Sequence, residues 1–193
     1  MAVYDKFARY YDRVFAPLER IGLAEYRRET LALLPENASV LELGSGAGAN
    51  FEFYPPSRSA ISTEISIKMI EVAKTKAADN ILINADAQRL PFGENKFDAA
   101  FATLVFCSIP KPELAFAELR RVVKPGGKVV LLEHVRPKGV LGYIFDGLNV
   151  FTHAVFDDHF NRQTAQIAAN SGLNVVEIRE KIIGIVNLIV CTV

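Results

Sequence analysis

Short apolar runs alternate with amphipathic stretches along most of the chain, and this alternation predicts the order of its strands and helices. An apolar run that is too short for a helix and is bounded by glycine, proline or polar residues is typical of a buried strand. Seven runs fit this description and are predicted as strands: residues 39–43, 60–63, 81–83, 97–104, 128–133, 174–178 and 185–193.

Apolar residues between these runs recur at the spacing of one helix face. Ser66 is a suitable N-cap for the helix after the second strand, and Gly172 closes the helix before the sixth. The helix after the fourth strand is expected to stop at Pro125, and a helical segment over residues 4–34 is expected to break at Pro17. Strands joined in this way predict a mostly parallel, doubly wound α/β sheet that is covered on both faces.

The length of the chain predicts one domain over residues 1–193. We expect a helical preamble (1–36), a core with the first five strands (38–134), an aromatic insertion (138–161) and a C-terminal helix with two strands (162–193). The insertion follows a strand, at the sheet edge where open α/β proteins bind their ligands. It is therefore suited to cover a pocket, although packing of an extra helix on the core explains it equally well.

The balance of charge argues against a nucleic-acid partner, because 22 Lys plus Arg residues are matched by 22 Asp plus Glu residues. Charged residues close to the N-terminus exclude a secretory signal peptide. The longest uncharged runs, residues 147–156 and 182–193, are shorter than the roughly 20 residues that span a bilayer. We expect a cytoplasmic protein in which Cys107 and Cys191 are reduced, buried thiols.

A glycine-rich loop follows the first predicted strand. Gly44, Gly46 and Gly48 have no side chains, so the backbone can turn tightly there and approach a bound nucleotide closely. The loop alone leaves two ligand classes open. Gly44, Gly46 and Ala49 also fit the G-x-G-x-x-G/A dinucleotide pattern, and Glu64 lies about 20 residues further on, as the ribose-binding acid of that pattern does.

Three neighbouring features favour S-adenosylmethionine over a dinucleotide. Glu42 places a carboxylate beside the loop, which suits the ammonium of an amino-acid-bearing ligand and would repel a pyrophosphate. Asp86 follows the third strand, where its carboxylate can accept a hydrogen bond from an adenine amino group. The third feature is the turn Pro125-Gly126-Gly127 that leads into the fifth strand.

Together these motifs resemble those of the class I S-adenosylmethionine-dependent methyltransferases. The resemblance covers residues 38–134. Among such enzymes, the small thiol methyltransferases called methyltransferase-like proteins and the bacterial phospholipid and quinone methyltransferases look similar. We expect no hydrophobic N-terminal anchor like that of the animal thiol enzymes, because residues 5–13 are rich in charge. The resemblance implies a Rossmann-like, seven-stranded sheet, mostly parallel with an antiparallel last strand, and S-adenosylmethionine as cofactor. The motifs that carry it lie at residues 40–48, 64, 86–87, 90–92, 97–98 and 119–127.

The resemblance also implies a set of cofactor-binding residues at the carboxyl ends of the first four strands and in the preamble. Glu64 would bind the ribose hydroxyls, and Asp86 with Ala87 would hold the adenine. The glycine loop would line the methionine part. The full set is Glu42, Gly44, Ser45, Gly46, Gly48, Glu64, Ile65, Asp86, Ala87, Thr103, Leu104 and Tyr10.

Within this set, Thr103 and Leu104 would face the methionine part, and Glu42 would support its ammonium indirectly. Tyr10 or Tyr11 would close over the cofactor. Each residue also has a plain structural explanation: the glycines can serve only the turn, the acids can be solvated, and the tyrosines can pack the preamble on the sheet.

Methyl transfer from a sulfonium is an in-line displacement, so the protein need not supply a nucleophile. A thiol or ammonium acceptor still has to lose a proton. His134 ends the fifth predicted strand, at the edge where the methyl group should point, and an imidazole of pKa near 6.5 accepts protons at neutral pH. His134 is the predicted general base and Tyr11 the second predicted catalytic residue. A histidine bonded to backbone at a strand end is the alternative.

The methyl acceptor is expected to be a small or lipid-like molecule, such as an alkyl thiol, an amine headgroup or a quinone precursor, because the insertion is aromatic and carries few charges. Membrane contact should be transient at most. No metal is expected, because Asp157, Asp158 and His159 are adjacent and such neighbours rarely converge on one ion. An NAD(P)-dependent oxidoreductase and an S-adenosylmethionine-binding protein without activity stay open as alternatives.

Overall fold

A computed structural model of the chain describes residue 5 and residues 8–54, 60–77, 80–137, 139–140, 142–143, 147 and 162–193. The strands are β1 (Val40–Leu43), β2 (Ala60–Glu64), β3 (Ile81–Asn84), β4 (Phe97–Thr103), β5 (Val123–His134), β6 (Asn174–Lys181) and β7 (Val186–Thr192). The helices are α1 (Tyr11–Leu18), α2 (Ala24–Ala32), α3 (Ile67–Ala73), α4 (Pro112–Val122) and α5 (Thr164–Asn170). Single 3-10 turns lie at Ala8–Tyr10, Phe51–Phe53 and Ile182–Gly184.

All seven strands form one sheet in the order β3-β2-β1-β4-β5-β7-β6. The pairs among β1 to β5 are parallel, and β7 runs antiparallel to both of its neighbours. This is the Rossmann-like sheet with an antiparallel last strand that the sequence resemblance implied. Because the first five strands are parallel, their carboxyl ends meet at one edge of the sheet.

Alternate residues of each strand face opposite layers of helices, as the pleat of a strand requires. Leu41 packs in the same core cluster as Phe116 of α4, whereas Val40 packs in the cluster that contains Leu31 of α2. Glu42 shares the face of Val40 because it is two residues further along the same strand. A carboxylate therefore points from β1 toward the N-terminal helices.

The predicted start of α3 is confirmed. Ser66 has an extended backbone, and its Oγ accepts a hydrogen bond of 3.2 Å from the backbone N–H of Met69. This bond satisfies one of the N–H groups that the first turn of a helix leaves without a partner. The cap fixes the chain direction directly after β2, at the edge of the sheet where β1 also ends.

The break in the N-terminal helices is not at Pro17, as the sequence suggested, but at Gly22. Pro17 lies inside α1, and the chain then widens into a π-helical turn over Glu19–Leu23 before α2 begins. Gly22 has a φ of 135°, which only glycine adopts without strain, and it separates the two helices.

Strand β5 begins earlier and β6 ends later than the sequence predicted. Val123 already pairs with Phe97, so α4 ends at Val122 and not at Pro125. At the far edge, β6 continues to Lys181 because that residue pairs with Val186 of β7. Pairing with a neighbouring strand decides where β5 begins and where β6 ends. The local sequence pattern holds no information about that pairing.

No helix in the described part of the chain is both long enough and apolar enough to cross a membrane.

Candidate cofactor site

The three glycines of the loop after β1 have positive φ angles but serve different neighbours. A Cβ on Gly44 would lie 2.6 Å from Cγ1 of Val105, and one on Gly48 would lie 2.6 Å from the ring of Phe51. A Cβ on Gly46 would meet nothing within 4 Å. Gly44 and Gly48 therefore allow the loop to pack on the protein, whereas Gly46 turns its backbone toward open space that a ligand can approach.

Glu64 at the end of β2 holds this loop through its carboxylate. Oε2 accepts a hydrogen bond of 2.9 Å from the N–H of Gly46, and Oε1 accepts one of 2.8 Å from the N–H of Ser66. Burial raises the pKa of Glu64, and these backbone donors oppose that rise. Because a carboxylate has about four acceptor positions, this side chain retains capacity for further donors at the edge of the loop.

Ser45 lies between the first two glycines. Its N–H donates to the carbonyl of Thr63 at 2.9 Å, which ties the loop to β2. Its hydroxyl is buried and has no hydrogen-bond partner among the described residues. A buried hydroxyl without a partner is costly, so a polar ligand against the loop would relieve this cost.

The end of β3 lies beside Glu64. The Asn84 amide donates to the carbonyls of Glu64 and Ile65, both at 2.9 Å. Asp86 follows, and its Oδ1 accepts hydrogen bonds from the backbone and the side-chain amide of Gln88 at 2.8 and 3.1 Å. The strand ends thus bring the predicted ribose and adenine residues together. Ala87 packs against the core on the α4 side.

Glu42 does not lie in the loop but beneath it, on the α2 side of the sheet. It is completely buried, and Oε1 accepts 2.6 Å from the Asn50 amide. Oε2 accepts 2.6 Å from each of the Tyr54 and Ser62 hydroxyls. Burial raises the pKa of Glu42, while these donors and the charge of Arg27 lower it. Glu42 thus accepts three hydrogen bonds from protein groups, and its indirect support of a ligand ammonium stays a prediction.

Thr103 ends β4 within the same polar cluster. Its Oγ1 accepts hydrogen bonds from the Arg27 guanidinium at 2.6 Å and from the Asn50 amide at 2.9 Å. The next residue, Leu104, has a φ of 58°, and its N–H donates 2.7 Å to the carbonyl of Leu132. A leucine in this left-handed region is strained, so the chain turns sharply where β4 ends.

Arg27 and Asn50 were not among the sequence-predicted site residues. Arg27 is 3% exposed and follows Leu23 and precedes Leu31 at four-residue spacing, on the buried face of the N-terminal helices. A cation inside an otherwise apolar helical stripe was the signal in the sequence, because such a charge requires a buried partner.

The two tyrosines that were predicted to close over the cofactor lie in the N-terminal segment. Tyr10 is in a 3-10 turn and is 45% exposed. The side chain of Tyr11 lies outside the described part, so its predicted role stays a prediction. The preamble does reach the site, because the Ser66 hydroxyl donates 2.5 Å to Asp5.

His134 ends β5 opposite Val186 of β7. Burial disfavours the charged imidazole and lowers the pKa of His134 to about 4. The side chain is neutral at pH 7, as a base must be, but it holds a proton far more weakly than the ordinary histidine that the sequence argument assumed. Its neighbour Glu133 points to the other face and accepts hydrogen bonds from Val105 and Phe106 at 3.0 and 3.1 Å.

Stability between pH 7.5 and 5 is expected to depend on His134. Its folded pKa of about 4 lies below the ordinary value, so the unfolded chain binds a proton here more readily than the folded chain. The stabilisation is complete above the ordinary pKa and is lost as the pH falls toward the folded one. From pH 7.5 to pH 5, the free energy of unfolding should fall by about 2 kcal/mol less in His134→Gln than in the wild type. Urea unfolding at the two pH values measures this difference. Equal falls in the two proteins would contradict the low pKa of His134.

Within the described residues, no three His, Cys, Asp or Glu side chains are grouped as a metal site requires. Asp157, Asp158 and His159 lie outside that part of the chain, as does most of the aromatic insertion. Of the insertion, Tyr143 is exposed, and the guanidinium of Arg136 lies 5.5 Å from the centre of its ring.

Known proteins are similar to the part of the chain that holds these residues. A family model described as a methyltransferase domain matches residues 41–131, which include the glycine loop, Glu64, Asp86 and Thr103. A demethylmenaquinone methyltransferase from Renibacterium salmoninarum is 31% identical over 140 residues, covering 70% of this chain and 59% of that protein. The chain therefore carries a methyltransferase domain over residues 41–131. The resemblance seen in the sequence is confirmed, and the cofactor of this family is S-adenosylmethionine.

Relatives of this chain carry names that refer to different acceptors. A thiol S-methyltransferase from Rattus norvegicus is 34% identical over 109 residues, covering 52% of this chain and 45% of that protein. A phosphatidylethanolamine N-methyltransferase from Cereibacter sphaeroides is 29% identical over 165 residues, covering 82% of this chain and 81% of that protein. The chain spans about half the length of the first two relatives and most of the third.

A solved structure shares the fold of this chain. It is an S-adenosylmethionine-dependent methyltransferase from Thermotoga maritima, described as a possible histamine N-methyltransferase. The TM-score is 0.78 at 22% identity, and the match covers 99% of this chain and 98% of that one. At this identity the likeness concerns the fold, and it agrees with the sheet order and direction described above.

Proposed function

We propose that this protein transfers the methyl group of S-adenosylmethionine to a small hydrophobic or lipid-like acceptor. The observation that carries the proposal is the open backbone of Gly46, held by the Glu64 carboxylate at the carboxyl ends of β1 and β2. The backbone of Gly46 offers close approach, and Glu64 offers an acceptor for ribose hydroxyls. The match to a methyltransferase domain over residues 41–131 gives this geometry its chemical meaning.

In this proposal the cofactor runs along the strand ends. Asp86 and Ala87 hold the adenine, Glu64 and Ile65 the ribose, and the loop with its Ser45 hydroxyl the methionine part. Thr103 and Leu104 border the methionine from β4, and Tyr10 covers it from the preamble. Glu42 acts from beneath, through Asn50 and Thr103, and does not touch the ligand.

The reaction is a displacement at the methyl carbon. A bond forms from the acceptor nucleophile to that carbon, the carbon–sulfur bond breaks, and S-adenosylhomocysteine leaves with the electron pair. An acceptor that carries a proton must also release it. In this proposal the neutral imidazole of His134 accepts that proton; because burial lowers its pKa to about 4, it is a weaker base than an ordinary histidine.

The acceptor class rests on the relatives and on the insertion. The names of three relatives refer to a quinone precursor, thiols and a phospholipid amine, which are hydrophobic or amphiphilic molecules. The aromatic residues of the insertion suit such an acceptor. We place the reaction in the cytoplasm, with transient contact to a bilayer when the acceptor is a lipid.

Transfer of a labelled methyl group tests the proposal. The protein is incubated with methyl-labelled S-adenosylmethionine and a panel of alkyl thiols, quinols, amines and phospholipids, and the products are identified by mass spectrometry. We expect label in at least one hydrophobic acceptor and stoichiometric S-adenosylhomocysteine. Tight cofactor binding without transfer to any member of the panel would instead identify a binding protein that lacks activity.

A further inference from the structure

Arg27 connects the N-terminal helices to the floor of the candidate site. It lies in the middle of α2, and its Nη1 donates 3.0 Å to Asn50 Oδ1 and 2.6 Å to Thr103 Oγ1. The other side of the guanidinium faces Glu19, with Nε and Nη2 at 3.1 and 2.9 Å from its Oε1. One buried side chain thus contacts the N-terminal segment, the loop after β1 and the end of β4.

The charges of this cluster depend on one another. Arg27 lies between two carboxylates: it pairs directly with Glu19 and is linked to the buried Glu42 through the Asn50 amide. A buried charge is tolerated only when it is paired and hydrogen-bonded. Removing Arg27 would take from Glu42 a cation that lowers its pKa and from Thr103 one hydrogen-bond donor.

We propose that Arg27 is a positioning residue that couples cofactor binding to the docking of the N-terminal helices. This inference rests on the proposed function, in which Thr103 borders the methionine part of the cofactor. Arg27 and Asn50 fix the Thr103 hydroxyl from below, while Glu19 holds Arg27 to the N-terminal segment. Ordering of Thr103 by a bound cofactor therefore strengthens the same contacts that hold α2 on the sheet, and the coupling acts in both directions.

The planar guanidinium is essential to this arrangement. It presents donors in a fixed fork that reaches Glu19 on one side and Thr103 with Asn50 on the other. A lysine ammonium at this position keeps the charge but cannot hold both sides at once. Arg27→Lys therefore separates the charge of the residue from its geometry.

The test compares Arg27→Met and Arg27→Lys with Arg28→Met. Arg28 is the next residue of α2, is exposed, and pairs with the exposed Glu25, so its loss should matter little. Affinity for S-adenosylhomocysteine is measured by titration calorimetry and the melting temperature by circular dichroism. We expect the Kd to rise roughly tenfold or more in Arg27→Met, less in Arg27→Lys, and by under about twofold in Arg28→Met.

Hydrogen exchange provides the readout that a purely structural role would not move. S-adenosylhomocysteine should slow amide exchange in α2 of the wild type and of Arg28→Met, but not of Arg27→Lys. If Arg27→Met fails to fold, Arg27→Lys decides the matter alone. Wild-type affinity and wild-type protection of α2 in that variant would overturn the inference, as would a lowered melting temperature with unchanged affinity in Arg27→Met. A wild type that does not bind S-adenosylhomocysteine contradicts the proposed function itself.

Discussion

Gly46→Ala is expected to weaken binding of S-adenosylhomocysteine at least tenfold while the protein still folds. The added Cβ meets no protein atom within 4 Å, so it does not disturb packing. It does project into the open space where the cofactor should approach the backbone of the loop. An alanine at position 46 would have to adopt the φ of 53° that Gly46 has. This strain costs about 1 kcal/mol and lowers stability but not affinity. Titration calorimetry and thermal unfolding measure the two effects separately.

Gly126→Ala is the matched control for this substitution. Gly126 has a φ of 75°, and a Cβ there also meets nothing within 4 Å, but the residue lies near the start of β5, away from the carboxyl ends of the strands that form the site. The two variants should therefore lose similar stability, and only Gly46→Ala should lose affinity. Equal affinity in both would show that the open space at Gly46 does not receive the cofactor.

Glu64→Ala is expected to lower affinity for S-adenosylhomocysteine roughly hundredfold and to destabilise the protein by about 1 to 3 kcal/mol. Affinity falls because the ribose loses a charged acceptor. Stability falls because the N–H groups of Gly46 and Ser66 lose their carboxylate partner in a buried place. Calorimetry gives the affinity, and urea unfolding without ligand gives the stability.

Glu71→Ala serves as the control for Glu64→Ala, because Glu71 is exposed on α3 and pairs only with exposed Lys68 in the described structure. It should leave both quantities within about twofold and 0.5 kcal/mol of the wild type. A Glu64→Ala protein that is destabilised but binds as tightly as wild type would restrict Glu64 to bracing the loop. The ribose assignment would then be wrong.

The sheet was predictable because its information is local. Short apolar runs between amphipathic stretches indicate buried parallel strands, and the Ser66 cap can be read from its position before an apolar helix face. The bounds were less predictable, since Val123 joins β5 only through its pairing with Phe97. Similarly, Gly22 and not Pro17 separates α1 from α2, because the φ of 135° at Gly22 interrupts the helical backbone there.

Candidate site residues at strand ends could be predicted from the sequence. Residues whose surroundings depend on burial by distant parts of the chain were harder to predict. The glycine loop, Glu64 and Asp86 follow strands directly, so strand order alone brings them together. The surroundings of Glu42 depend on Arg27, which is 15 positions earlier in a helix and which no local motif connects to it. The low pKa of His134 likewise arises from burial at the β5 end, which is a tertiary property.

The identity of the cofactor can be tested by thermal unfolding with S-adenosylhomocysteine or with NAD. The wild-type protein is melted alone, with S-adenosylhomocysteine and with NAD, each ligand at the same concentration. We expect a higher melting temperature with S-adenosylhomocysteine and no change with NAD. A ligand at 100 times its Kd raises the free energy of unfolding by about 2.7 kcal/mol. Stabilisation by NAD and none by S-adenosylhomocysteine would contradict this expectation.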